Sequence, residues 1–156
     1  MEYYLTLLSA VFDRGNAHLL LAAFLGALVG LEREFAGKDP SIRTFALISM
    51  GSCLFAMLSI DIAVSMNVGD PSRIAAQIVP GIGFGSIFRG KKGVSGFTTA
   101  ALMWVMAGIG MAVGFNREDL AVSATFIALG LTLSLRFIHK LIPKRTEGEN
   151  EFGGDS

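Results

Sequence analysis

The residues best placed to do chemistry are four polar side chains set among apolar ones. Asp70, Pro71, Ser72 and Arg73 are followed by Gln77. Arg73 and Gln77 are one helical turn apart and share a face. Asp61 closes the preceding apolar run, so Asp61, Asp70, Arg73 and Gln77 are expected to line one polar, outward-facing vestibule. Mg²⁺ is usually held by one or two carboxylates plus waters, which makes Asp61 and Asp70 candidate ligands for a hydrated divalent cation. Arg73 beside them opposes a cation. The plainer reading is a helix cap with an interfacial anchor whose charge snorkels to the membrane edge.

A second cluster closes the first apolar run. Glu32, Arg33 and Glu34 stand together, and two anions at a helix C-terminus oppose the macrodipole. They therefore call for cations, and Arg43 and Arg89 are the reachable ones. The expected result is a cytoplasmic ion-pair cluster of Glu32, Arg33, Glu34, Arg43 and Arg89, structural in the first instance and a partner or substrate site in the alternative. Catalysis finds no such support. His18 and His139 are predicted on opposite membrane faces, no metal-ligand spacing joins them, and no phosphate-cradling loop is present. The chain is read as a non-enzyme with no catalytic residue and no resident cofactor, Mg²⁺ being the one ion its carboxylates suggest. Cys53 is the single cysteine, which excludes an internal disulfide and a cysteine metal site. The cations form short patches rather than a basic stripe, so nucleic acid is not an expected partner.

These residues must be positioned by helices in lipid. The 156 residues are 52% hydrophobic, and the mean hydropathy is +0.57, well above a soluble domain of this size. Five runs approach the roughly 20 apolar residues a bilayer requires: Ala17 to Leu31, Thr44 to Met66, Ile74 to Phe88, Phe97 to Phe115 and Leu120 to Ile142. Backbone groups in lipid must bond within their own segment, so the expected fold class is an all-α integral membrane protein of about five transmembrane helices. Residues 1–16 read as an interfacial amphipathic segment, 17–142 as the transmembrane domain and 143–156 as a disordered cytoplasmic tail. Gly90 to Gly96 is expected to be a plain joint between spans three and four.

Arg33, Lys38, Arg43, Arg89, Lys91, Lys92, Arg136, Lys140, Lys144 and Arg145 gather at one face, against Arg14, Arg73 and Arg117 at the other. The positive-inside rule then places the N-terminus outside and the C-terminus in the cytoplasm. Gly26 with Gly30, Gly81 with Gly85, and Gly110 with Gly114 each lie four apart, the spacing of close helix packing in lipid. Gly83, between the second pair and near Pro80, offers the alternative of a helix that opens to a ligand or ion. Five helices make a thin bundle, so a homo-oligomer is expected.

The motifs Gly30-Leu-Glu-Arg-Glu34, Arg43-Thr44, Asp70-Pro-Ser-Arg-Ile-Ala-Ala-Gln77, Gly81-Ile-Gly-Phe84 and Gly96-Phe-Thr-Thr-Ala-Ala101 resemble, in order and spacing, those of the MgtC/SapB family of bacterial inner-membrane proteins. The resemblance covers about Leu20 to Phe115. It implies a multi-pass, five-helix domain in the bacterial inner membrane, adaptation to magnesium limitation and, in pathogens, virulence through survival inside phagocytes. It further implies regulation of other membrane proteins, F-type ATP synthase among them, with a small Mg²⁺ transporter or channel as the alternative. Two departures stand out. The glycine-rich third helix is about one turn shorter than the family pattern, and the soluble C-terminal domain many members carry is expected to be missing.

Overall fold

The computed structural model describes residues 14–37, 41–66, 70, 76–78, 82, 88–90, 93–95 and 97–141. The expected interfacial segment, apart from its last residues, and the expected tail lie outside these. Four long helices carry the architecture: α1 (Arg14–Phe35), α2 (Ile42–Met66), α3 (Phe97–Gly114) and α4 (Glu118–Leu141). Before α3 comes a small antiparallel ribbon of β1 (Phe88–Gly90) and β2 (Gly93–Ser95), with Phe88 opposite Ser95 and Gly90 opposite Gly93.

The protein is an all-α membrane protein apart from that ribbon. Among the described residues, α1 from Gly15, α2 and α3 are each long and apolar enough to cross a bilayer. Helix α4 adds 24 residues, about 36 Å of helix at 1.5 Å per residue. Most of the expected third span lies outside the described residues, although 76–78 are helical. One boundary needs correction. Phe88 was expected to end that span and Gly90 to Gly96 to be a plain joint, but Phe88 already belongs to β1. The glycines at positions 90 and 93 bracket two residues, the length that favours a tight hairpin.

Local chemistry explains the helix ends. Gly37 takes a left-handed φ of 63° just past α1, and its N–H donates to Glu34 O at 2.9 Å. Asn116 does the same after α3 with φ 55°. Asn116 N bonds to Val113 O at 3.0 Å and Arg117 N to Ala112 O at 2.8 Å, the paired pattern of a Schellman cap. That cap turns the chain within three residues from α3 into α4.

Helix α2 is the hub, sharing its largest interfaces with α1 and α3. A Cβ on Gly26 would meet Phe45 O at 2.5 Å, and one on Gly30 would meet Ile42 Cα at 2.6 Å. From the other side, a Cβ on Gly110 would collide with the Ser49 carbonyl, and one on Gly114 would lie 2.6 Å from Cys53 O. These pairings run in opposite senses along α2, so α1 is antiparallel to it and α3 parallel. Met66 and Phe97, the end of one parallel helix and the start of the other, therefore lie toward opposite ends of the bundle. The core between the helices holds Val29, Phe45, Cys53, Met106, Ile109 and Val113, all buried. Large apolar side chains such as Phe24, Leu54, Trp104, Phe126 and Leu131 face outward, as lipid allows.

A test follows from the glycine contacts. Gly110→Ala and Gly114→Ala force backbone apart and should each destabilise the protein by about 1–3 kcal/mol. Gly108→Ala and Gly130→Ala, where a Cβ meets nothing within 4 Å, should be neutral or stabilising by up to about 1 kcal/mol. Thermal unfolding of the four variants in detergent distinguishes them.

Candidate functional site

Polar side chains collect at the two ends of the bundle and at one lateral cavity. The end formed by the C-terminus of α1 and the N-termini of α2 and α3 holds Glu32, Arg33, Glu34 and Arg43. Glu32 and Arg33 are both only 9% exposed, unusual for adjacent charges in a small bundle. Arg33 Nη2 donates to Thr99 Oγ1 at 3.2 Å, which ties α1 to the first turn of α3. Glu34 Oε2 accepts a long hydrogen bond from Ile42 N at 3.5 Å, so this carboxylate serves the start of α2. Glu32 makes an interaction of its own, while Arg43 is exposed. The Arg89 side chain lies outside the described residues. The structure therefore brings Glu32, Arg33 and Glu34 to a junction of three helices, with Thr99 as the partner that sequence reasoning did not name.

The opposite end carries a contact between elements far apart in sequence. His18 Nε2 and Glu118 Oε1 are 2.9 Å apart and join the start of α1 to the start of α4. Arg117 Nε donates to Asp119 Oδ1 at 3.4 Å beside it. The Glu118 carboxyl is held below the usual range first by its own backbone N–H and then by His18. Asp119 is lowered by the Leu120 N–H and then by Arg117. Both carboxylates sit in the first turn of α4, where the helix dipole favours an anion. The sequence placed His18 only on the membrane face opposite His139, with no partner named. The signal that could have found its partner was topological, since the start of span one and the joint between spans four and five share a face.

The expected vestibule is only partly described. Asp61 and Asp70 are exposed, and Arg73 lies outside the described residues. Gln77 instead lines a cavity of about 480 Å³ with Leu47, Ile48, Gly51, Ser52 and Phe55 of α2, together with Ile78 and Ile82. Asp61 does not line it and stands six residues beyond Phe55, about 9 Å further along the helix. Among the described residues no three of His, Cys, Asp and Glu gather to hold a metal ion.

The glycine pairs divide likewise. Gly26, Gly30, Gly110 and Gly114 lie at the α2 contacts above, and Gly81, Gly83 and Gly85 fall outside the described residues. Their counterpart on α2 was missed: Ser49, Ser52, Cys53, Ala56 and Ser59 are all buried on one face. Small residues at spacings of three and four were its signal, hidden within a run that reads as simply apolar.

Comparison with known proteins resolves the family. The MgtC family pattern matches residues 19–141. The chain belongs to the MgtC family. It is 39% identical over 141 residues to MgtC of Salmonella typhimurium LT2, covering 86% of this chain and 59% of that protein. It is 41% identical over 131 residues to YhiD of Escherichia coli K12, which is named as a proposed magnesium transporter, covering 79% and 60%. An uncharacterised Haemophilus influenzae protein is 37% identical over 163 residues, covering 93% and 68%. The MgtC-family chain thus spans about three-fifths of the length of its Salmonella and Escherichia relatives. No solved structure matches it significantly.

The His18–Glu118 end generates a pH prediction. A carboxylate whose pKa is lowered on folding adds stability above its unfolded pKa, and that stability is lost as pH falls through the folded value. Stability should thus decline as pH drops below about 4.3, the ordinary glutamate value. Glu118→Gln should flatten the part of this decline that Asp119 does not supply. Unfolding midpoints of both proteins across the acidic range check it.

Proposed function

We propose that this MgtC-family chain is a non-enzymatic protein of the bacterial inner membrane that regulates another membrane protein through helix contacts and serves adaptation to magnesium limitation. The observation that carries this reading is the close approach of α1 and α3 to α2 at Gly26, Gly30, Gly110 and Gly114. Backbones this close leave a centre filled by Phe45, Cys53 and Met106. A bundle of this kind offers a partner its outer surface, where Phe24, Trp104 and Phe126 are more than half exposed. Lipid provides no hydrophobic drive between helices, so recognition would rest on shape and on the few polar groups at the rims. A second copy of the chain, or a membrane assembly such as F-type ATP synthase, fits such a surface. The cation-rich end that holds Arg33 and Arg43 would face the cytoplasm and the His18 end the outside.

A small magnesium transporter is the second reading. It is favoured by the name of the Escherichia coli relative and by the cavity beside Gln77. In that reading Asp61, Asp70 and Arg73 would guard an entrance, and a polar path would join them to Glu32 and Arg43.

Uptake of Mg²⁺ and of monovalent cations into liposomes separates the two. Folded, correctly inserted protein should give no flux above empty liposomes. Flux that both Asp70→Asn and Arg73→Gln abolish would overturn the regulatory reading in favour of transport.

A further inference from the structure

Beside α2 the bundle keeps a space that side chains do not fill. The cavity of about 480 Å³ runs along α2 from Leu47 to Phe55 and is bounded also by Gln77, Ile78 and Ile82. Gly51 stands midway along it, and a Cβ there would meet nothing within 4 Å. In this Gly51 differs from Gly26, Gly30, Gly110 and Gly114, each of which faces a neighbouring backbone. Leu47 is 61% and Phe55 51% exposed, so the cavity opens on the outer surface of the bundle. No charged side chain is among the described residues that line it.

Depth and width decide what fills it. Helix α2 is long and apolar enough to cross a bilayer. At 1.5 Å per residue, Leu47 lies about 8 Å and Phe55 about 20 Å from the start of α2 at Ile42. With a hydrocarbon core about 30 Å thick centred on this 25-residue helix, the cavity runs from near the edge of the core to its middle. Its mouth therefore meets acyl chains of one leaflet and not water. Spread over the roughly 12 Å from Leu47 to Phe55, the volume corresponds to a section of about 40 Å². An α-helix 10–12 Å across takes about 80 Å² or more and does not enter. An extended hydrocarbon chain, whose carbons rest about 4 Å from neighbouring carbons, does. Gln77 is exposed while lining this apolar space, which sets its amide at a depth where no water serves it. Ser52, 2% exposed, adds a hydroxyl to the same wall. The ester carbonyl at the head of an acyl chain is an acceptor for such donors.

We propose that Leu47, Gly51, Ser52, Phe55 and Gln77 form a binding site for one phospholipid of the surrounding bilayer, its acyl chain lying along α2 and an ester carbonyl accepting from the Gln77 amide. The site does not rest on the regulatory reading, and lipid retention is measured without reference to any partner or flux.

The test uses the full chain in detergent, freed of lipid and titrated with dioleoyl phosphatidylethanolamine in mixed micelles, the retained lipids being counted by native mass spectrometry. One tightly held lipid is expected. Gly51→Leu fills the cavity and should weaken retention about tenfold or more. Gly130→Leu, which puts the same side chain on the open surface of α4, should leave it unchanged. Gln77→Leu keeps the walls apolar but removes the amide, and should weaken retention about two- to tenfold. An ether-linked analogue with the same chains and no ester carbonyl should bind the native chain as weakly as the ester lipid binds Gln77→Leu. Circular dichroism and gel filtration establish that each variant is folded. No lipid retained by the native chain overturns the proposal, as does retention unchanged in both Gly51→Leu and Gln77→Leu. A native chain that carries an isoprenoid quinone in place of phospholipid, lost in Gly51→Leu, overturns it by giving the cavity another occupant.

Discussion

The structure depends on how closely three helix backbones approach one another. The carbonyls of Phe45, Ser49 and Cys53 are four residues apart and form a line along α2; Gly26 meets the first, Gly110 the second and Gly114 the third. At this range the glycine Cα–H groups can engage carbonyl oxygens, each contact contributing about 0.5–1 kcal/mol. In lipid, where burying an apolar side chain gains little, close contact is the main source of specificity. The small face of α2, Ser49 to Ser59, is the matching half of the arrangement.

That constraint fixes the rest of the molecule. With α1 antiparallel to α2 and α3 parallel, the start of α1 lies at the same end as the start of α4, which lets His18 reach Glu118. By the same geometry the last turn of α1 meets the first turn of α3, where Arg33 bonds Thr99. One cluster is half-buried and joins two helices at their rim, while the other is buried in the junction. The bundle therefore has a chemical polarity from end to end that comes from helix direction alone.

Much of this was legible in the sequence. The apolar runs marked the four helices to within a few residues, because length and hydropathy are nearly sufficient in lipid. Glycines four apart marked where backbones could touch. The ribbon was not legible, since Phe88 reads as the end of an apolar run and only the spacing of Gly90 and Gly93 betrays a turn. Nor was the burial of Arg33. Sequence shows a charge beside two acids and suggests ion pairing, whereas its guanidinium donates to Thr99, a residue 66 positions away. The partners Thr99 and Glu118 depend on which helices are neighbours, which no local pattern encodes. Gln77 was expected in a vestibule with Asp61, but it lines a cavity with Leu47 to Phe55 of α2, to which Asp61 does not contribute.

The central claim, a dry and closely packed centre, is tested most directly through Cys53. It is fully buried on α2 and is the single cysteine in the chain. Membrane vesicles containing the native protein would be treated on both faces with a charged, water-soluble thiol reagent, and labelling compared before and after denaturation. The packed bundle predicts protection of Cys53 until the protein is unfolded. Rapid labelling of the folded protein would mean that water reaches the centre of the bundle and would contradict the account.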